Sequence, residues 1–204
     1  LALLLLRRET EKLHGTMCAV SYQPGLGCGD VEEGDTLVYS KDLARTGHAL
    51  KASNETNLYL NTARGMMMRE RLRRAFNGRP ATVFGEIYGA TIQDLGYGRA
   101  TPSFAAFDIY LGRPGAGHWL SRPEFNRIVG EVAPAVPTLY AGPLQGATLK
   151  KLASGATVAG NMAHIREGVV VRTVSDRNVY GFGRAVLKYV SPEYMTRRGG
   201  TEFQ

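Results

Sequence analysis

Three carboxylates set the strongest constraint on how this chain can fold. Glu86, Asp108 and Glu167 stand in the runs "TVFGEIYG" (82–89), "SFAAFDIYL" (103–111) and "EGVVVRTV" (167–174). Aromatic and β-branched residues crowd each run, so each reads as a strand. A carboxylate inside such a run is costly unless it is paired or bound. A buried structural ion pair would account for any one of the three taken alone. Three together, with Lys12 and Lys188 in similar settings, ask for a shared ligand. A nucleotide with a divalent cation meets that need. Carboxylates hold metal and ribose hydroxyls, lysines neutralise phosphate, and an aromatic face stacks on the base.

The remaining pattern mixes strands and helices. "TLVYS" (36–40) and "RAVLKYV" (184–190) read as further strands. A long helix is expected from about Asn54 to Asn77, with Leu58, Met68, Leu72 and Phe76 at helical spacing and Asn77-Gly78 as its stop. Its other face carries Arg64, Arg69, Arg71, Arg73 and Arg74. That face reads as a solvated surface or, in the rival reading, as a phosphate-tracking one. "SRPEFNRIVGEV" opens with Ser121 and Glu124 in capping-box spacing and predicts a short helix. "LQGATLKKLAS" predicts another, stopped by Gly155. There is no regular βαβ rhythm. The expected fold class is therefore α+β with largely antiparallel sheets, not a Rossmann fold.

Several function classes drop out. Cys18 and Cys28 form no CxxC pair, and His14, His48, His118 and His164 are scattered, so neither a zinc site nor a disulfide framework is expected. The loop "QPGLGCGDVEEGD" (Gln23–Asp35) is Gly-rich and acidic but lacks the GK[ST] of a Walker A loop. The opening "LALLLL" is too short to span a bilayer. Its basic residues follow rather than precede it, so it reads as a buried strand and not as a signal peptide. No membrane association is expected, and a reducing, intracellular setting is: cytoplasmic or phage-encoded. The net charge of +7 over 204 residues favours an anionic partner.

In order along the chain, these runs resemble the motifs of the covalent nucleotidyltransferases, the family of ATP-dependent RNA and DNA ligases and mRNA capping enzymes. Motif I, K-x-[DH]-G, matches Lys12-Leu13-His14-Gly15. Motif III matches Phe84-Gly85-Glu86, motif IIIa Phe104 to Ile109, motif IV Glu167 to Arg172, and motif V Val186-Leu187-Lys188. The resemblance runs from Glu11 to about Tyr194. The histidine in motif I is similar to that of RNA ligases, where DNA ligases and capping enzymes usually carry Asp. Two positions depart from the ligases that seal nicks in duplex RNA: Met17, where those carry Asn, and Val190, where those carry a second Lys. The ending "VLKYVSPEYMTRR" is similar to another RNA ligase branch, whose members carry an OB-fold ahead of the catalytic domain.

The resemblance implies a nucleotidyltransferase (ligase adenylation domain) fold over residues 1–204, antiparallel sheets flanked by helices around a central ATP pocket. An OB-type domain ahead of it, absent from this sequence, is part of the same expectation. It implies ATP and Mg²⁺ (or Mn²⁺) as cofactors and RNA, as a nicked duplex or as RNA ends, as partner, with the chain acting as a monomer. Lys12 would attack the α-phosphate of ATP and release pyrophosphate. AMP would pass to an RNA 5′-phosphate, and a 3′-hydroxyl would displace it. Attack needs a neutral amine, which nearby cations or desolvation favour, and Lys188, Arg172 and the metal are the candidate cations. Glu86 would hold the ribose and Glu167 the metal or its waters. Phe107 and Val170 would sandwich adenine, and Lys188 would touch the α-phosphate. His14 would orient phosphate or bond a strand. Lys41 or Arg45 would sit at motif Ia, and Glu11 would meet adenine through its backbone. Asp108 would orient an active-site cation or close a core ion pair.

The leading expectation is thus an ATP-dependent RNA ligase. The alternatives are a DNA nick ligase, a capping-type guanylyltransferase, and, outside enzymes, an inactive nucleotide- or RNA-binding module.

Overall fold

In chain order the elements are β1 (Leu6–Lys12), β2 (Gly15–Tyr22), β3 (Thr36–Ser40), α1 (Lys41–Thr46), α2 (Leu58–Gly65), α3 (Met68–Ala75), β4 (Ala81–Tyr88), β5 (Ser103–Leu111) and β6 (His118–Trp119). There follow α4 (Arg122–Val132), β7 (Thr138–Pro143), α5 (Gly146–Ala153), β8 (Gly168–Thr173), β9 (Asn178–Val179), β10 (Gly183–Arg184), β11 (Val186–Val190) and α6 (Pro192–Met195). The computed structural model describes residues 6–26, 35–51, 56–143, 145–161, 164–174, 178–181 and 183–199. Cys28, most of the Gly-rich loop, the start of the helix expected from Asn54, and "LALLLL" up to Leu5 lie outside the described residues. The chain divides into two compact units, one of Leu1–Gly15, Tyr88–Pro102 and Val136–Gln204, the other of Thr16–Ile87 and Ser103–Ala135.

The first unit is built on a four-stranded sheet in the order β11-β8-β1-β7, every neighbour antiparallel. Side chains opposite one another in such a ladder share a face. One face carries Val169 and Val171, which pack with Ala153 of α5 and with Leu139, Leu149, Leu152 and Tyr189. The register puts Arg8 opposite Arg172, Thr10 opposite Val170 and Lys12 opposite Gly168 on the other face. From β11, Lys188 faces Val170 there as well. This face therefore gathers cations around one valine. Gly168 is required where it stands: a Cβ there would lie 2.1 Å from the Tyr189 carbonyl oxygen.

The second unit holds a five-stranded sheet in the order β3-β2-β4-β5-β6. Cys18, Val20, Val83, Ile87, Phe104 and Ile109 are buried on its strands, and Leu60, Met68, Leu72, Phe125 and Val129 are buried on its helices. Gly85 of the "FGE" run is needed for close packing, since a Cβ would meet the Phe104 ring at 2.2 Å. The capping box of α4 forms as expected: Glu124 Oε2 accepts from the Ser121 amide at 2.8 Å and from its hydroxyl at 2.6 Å.

The structure corrects the long helix. It is two helices, α2 and α3, broken after Gly65, with Met67 in the left-handed region at φ 50°. An unbroken helix would carry Leu72 about 120° round from Leu60 at ~100° per residue. The break lets Leu60 and Ala63 of α2, and Met68 and Leu72 of α3, all be buried. The strand expected over 184–190 is likewise two, β10 and β11.

Candidate active site

Lys12 is the last residue of β1, and Glu167 is the residue before β8. Because Lys12 pairs with Gly168, the ladder brings the two side chains together, and the Lys12 ammonium closes on Glu167 Oε1. Glu167 is only 7% exposed, and its other oxygen, Oε2, is buried and accepts no hydrogen bond. Burial pushes the Glu167 carboxyl above its ordinary range, while Lys12, Arg197 and Lys188 pull it down. The site thus holds a buried carboxylate with one oxygen spent on the lysine and one unspent.

His14 sits in the turn after Lys12 and is buried. Its amide donates to the Tyr97 hydroxyl at 2.7 Å. Its ring is held on both nitrogens, by Asp94 Oδ1 on Nε2 and by the Tyr194 hydroxyl on Nδ1, each at 2.7 Å. Burial, then the charges of Arg197 and Lys12, push the imidazole below its usual range against the pull of Asp94. A neutral ring with hydrogen on Nε2 satisfies both contacts, because the carboxylate can only accept. The ring's partners thus lie in a loop and in α6, not on a strand.

Glu11 points to the α5 side of the sheet, away from Lys12. Its Oε2 accepts from the Val158 amide at 2.9 Å, its Oε1 from the Thr157 hydroxyl, and Arg166 Nε lies 3.8 Å away. Its own amide donates to the Pro137 carbonyl at 2.9 Å. The Glu11 side chain therefore braces the loop after α5.

The first unit thus brings together Lys12, His14, Glu167, Val170, Arg172 and Lys188 among the expected residues. Glu86, Phe107, Lys41, Arg45 and Asp108 belong to the second unit. There Glu86 stands half-buried on β4 and Phe107 half-buried on β5. Lys41 and Arg45 are exposed on α1. Asp108 is 2% exposed and is bonded to Arg122 at 2.9 Å; the same guanidinium donates to the Phe107 carbonyl at 3.0 Å. Asp108 accordingly closes a core ion pair. In the arginine-rich segment, Arg69 is held bidentately by Asp35 at 2.8 Å, whereas Arg73 and Arg74 are exposed.

Sequence reasoning missed Asp94, Tyr97, Tyr194 and Arg197. Asp94 and Tyr97 lie in a loop without periodicity. A signal did exist for α6: Ser191-Pro192 is an N-cap followed by a first-turn proline, and Ser191 Oγ accepts from the Tyr194 amide at 3.0 Å.

Among solved structures, the chain is similar to Naegleria gruberi RNA ligase. A mutant with ATP and Mn, another with AMP and Mn, and the ligase with PPi each match with TM-score 0.71 and 22% identity, over 94% of this chain and 51% of theirs. The chain spans about half the length of those proteins. No curated protein matches it. The likeness shows the fold, α+β of the nucleotidyltransferase type, as the motifs imply. The RNA ligase family model matches residues 8–190. The chain belongs to the RNA ligase family.

Proposed function

We propose that the chain is the adenylating part of an ATP-dependent RNA ligase, which forms a lysyl-AMP on Lys12, passes AMP to an RNA 5′-phosphate and seals it to a 3′-hydroxyl. The observation that carries this reading is the contact of Lys12 with a buried carboxylate beside a sheet face that also carries Arg8, Arg172 and Lys188. Lys188 and Arg172 on that face suit a polyphosphate. Val170 between them offers an apolar surface to a purine. The motif resemblance assigns the ribose to Glu86 and the base to Phe107. A bond from the Lys12 amine to the α-phosphorus forms as the bond to pyrophosphate breaks, and Lys188 offsets the charge that spreads over the phosphoryl oxygens. Glu167 holds the ammonium between turnovers and must release it for attack, since a carboxylate partner favours the charged amine.

Among the described residues, no cluster of three His, Cys, Asp or Glu could cage a metal. The unspent Oε2 of Glu167 fits instead a Mg²⁺ or Mn²⁺ held by one carboxylate with phosphate and water oxygens. Bound there, the cation would supply positive charge that favours the neutral amine and offsets phosphate charge. The Naegleria complexes with ATP and Mn support the choice of nucleotide and metal. RNA as partner, a monomeric chain and an intracellular setting belong to the same proposal. No helix among the described residues is long and apolar enough to cross a membrane.

The test is incubation with α-labelled ATP or GTP and Mg²⁺, peptide mapping of the adduct, and sealing of matched RNA and DNA nicks. Label from ATP on Lys12 and preferential sealing of RNA are expected. Label on another lysine would overturn the assignment. Label from GTP alone would favour a capping enzyme, and equal sealing of DNA would favour general nick repair.

A further inference from the structure

The two partners of the Lys12–Glu167 contact are far apart in sequence, and one short segment bonds the backbone at Glu167 and the ring of His14. Ser191 donates its amide to the Glu167 carbonyl at 2.9 Å and its hydroxyl to the Arg166 carbonyl at 3.2 Å. Three residues on, Tyr194 bonds His14 Nδ1 at 2.7 Å, two positions from Lys12. Arg197 then closes the arrangement. Its guanidinium lies 3.6 Å from the Tyr194 ring centroid and donates to the Tyr194 carbonyl at 2.8 Å. It also grips Asp94 at 2.9 and 3.0 Å, the carboxylate that holds the other side of the His14 ring. Every polar atom of the imidazole is thereby fixed, and the guanidinium balances the one carboxylate against it. Tyr194 is 1% exposed, so this is a packed joint and not a surface contact.

We propose that Asp94, Tyr194 and Arg197 are positioning residues for lysine adenylation, holding the turn after Lys12 in register with the strand entry at Glu167. This rests on the ligase reading above. In-line attack at phosphorus depends on placement: a misplacement of ~1 Å costs on the order of a hundredfold. They act on the lysine through His14 and the backbone, and Arg197 also reaches Glu167 by its charge.

The experiment compares Tyr194→Phe, Asp94→Asn and Arg197→Gln with the unsubstituted chain and with Met195→Gln. Met195 is 64% exposed on the same helix and serves as the control. Single-turnover lysyl-AMP formation is followed with saturating ATP, and KM for ATP is measured alongside. Tyr194→Phe removes one oxygen and should slow adenylation by about three- to tenfold, the scale of one lost hydrogen bond. The other two should slow it further. Full amplitude with a lower rate and an unchanged KM is the expected signature. Lower amplitude at the original rate would mean a loss of folded protein only, and would overturn the proposal. So would an original rate in all three variants. Nitrogen-15 NMR of the unsubstituted chain should show His14 neutral with hydrogen on Nε2 at pH 7; the other tautomer would break the network as described. No lysyl-AMP in the unsubstituted chain would sink the ligase reading and this inference together, whereas normal rates in the variants sink the inference alone.

Discussion

Lys12 and Glu167 meet because β1 and β8 are antiparallel and in a register that sets Lys12 opposite Gly168. The ladder sets where the two side chains start, and their contact follows from that register. Glu167 supplies one oxygen to the ammonium and keeps a second, buried one without a partner. Glu167→Ala should therefore slow lysyl-AMP formation severely. Lys188→Ala, which removes the cation across from Val170, should do the same. A cost of several kcal/mol is expected for each, where ~1.4 kcal/mol is tenfold in rate. Rapid-quench measurement of the adduct decides it, and near-normal rates in either variant would show that motif IV or motif V is assigned to the wrong residues.

Asp108 gives the contrasting case, a motif carboxylate spent inside the core. It and Arg122 are both nearly fully buried, and the guanidinium stacks over the Phe125 ring, 4.3 Å from its centroid. Breaking a buried ion pair by removing one member costs about 3–5 kcal/mol. Asp108→Ala should lower the stability of the chain by that order in urea unfolding. A change under 1 kcal/mol would mean the pair is solvated in solution and that Asp108 is available to a ligand.

The strands bearing Glu86 and Asp108, and the one that opens just after Glu167, were legible because aromatic and β-branched residues crowd around a charge. The motif order singled out Lys12 and Lys188 as candidates. The joint around His14 was not legible for a physical reason: Asp94 is 80 positions from His14, Tyr194 is 180, and Arg197 is 103 from Asp94. No local pattern encodes bonds of that span. The break at Met67 escaped for another reason. Leu58, Met68, Leu72 and Phe76 keep a helical spacing that reads straight through it, and only burial of both helices against one core demands the turn. The strand β7 escaped because "TLYAGP" is short and ends in Gly-Pro, which reads as a loop.

Cys18 lies on β2 with no exposed surface and is a free thiol. Burial, with the Glu86 charge adding to it, pushes the thiol up to about 12. Thiolate is the reactive form, so at neutral pH this cysteine should be inert. Peptide mapping after iodoacetamide should find Cys18 unmodified in the native chain and modified after denaturation. Rapid native labelling at Cys18 would mean that β2 opens from the sheet.

Glu9 is a buried carboxylate the fold retains at a cost. It has no exposed surface, and neither carboxylate oxygen has a hydrogen-bond partner. The register sets it between Tyr140 and Val171, on the α5 side of the first sheet. Burial raises its carboxyl above the ordinary range. The folded state therefore keeps the proton to a higher pH than the unfolded chain does. Below the ordinary carboxylate range both states are protonated and Glu9 adds no pH dependence. As pH rises through that range toward the raised value, the unfolded chain releases its proton first, and stability falls. Replacement by an apolar side chain of similar length removes this penalty. Glu9→Met should raise Tm at neutral pH by about 2–4 °C, which at this chain length corresponds to ~1 kcal/mol. The gain should shrink toward zero as the pH is lowered through the carboxylate range. Thermal unfolding of both forms across that range is the measurement. A Tm gain that stays constant with pH would show that packing alone is responsible, and a loss of stability at neutral pH would show that the carboxylate has a partner in solution.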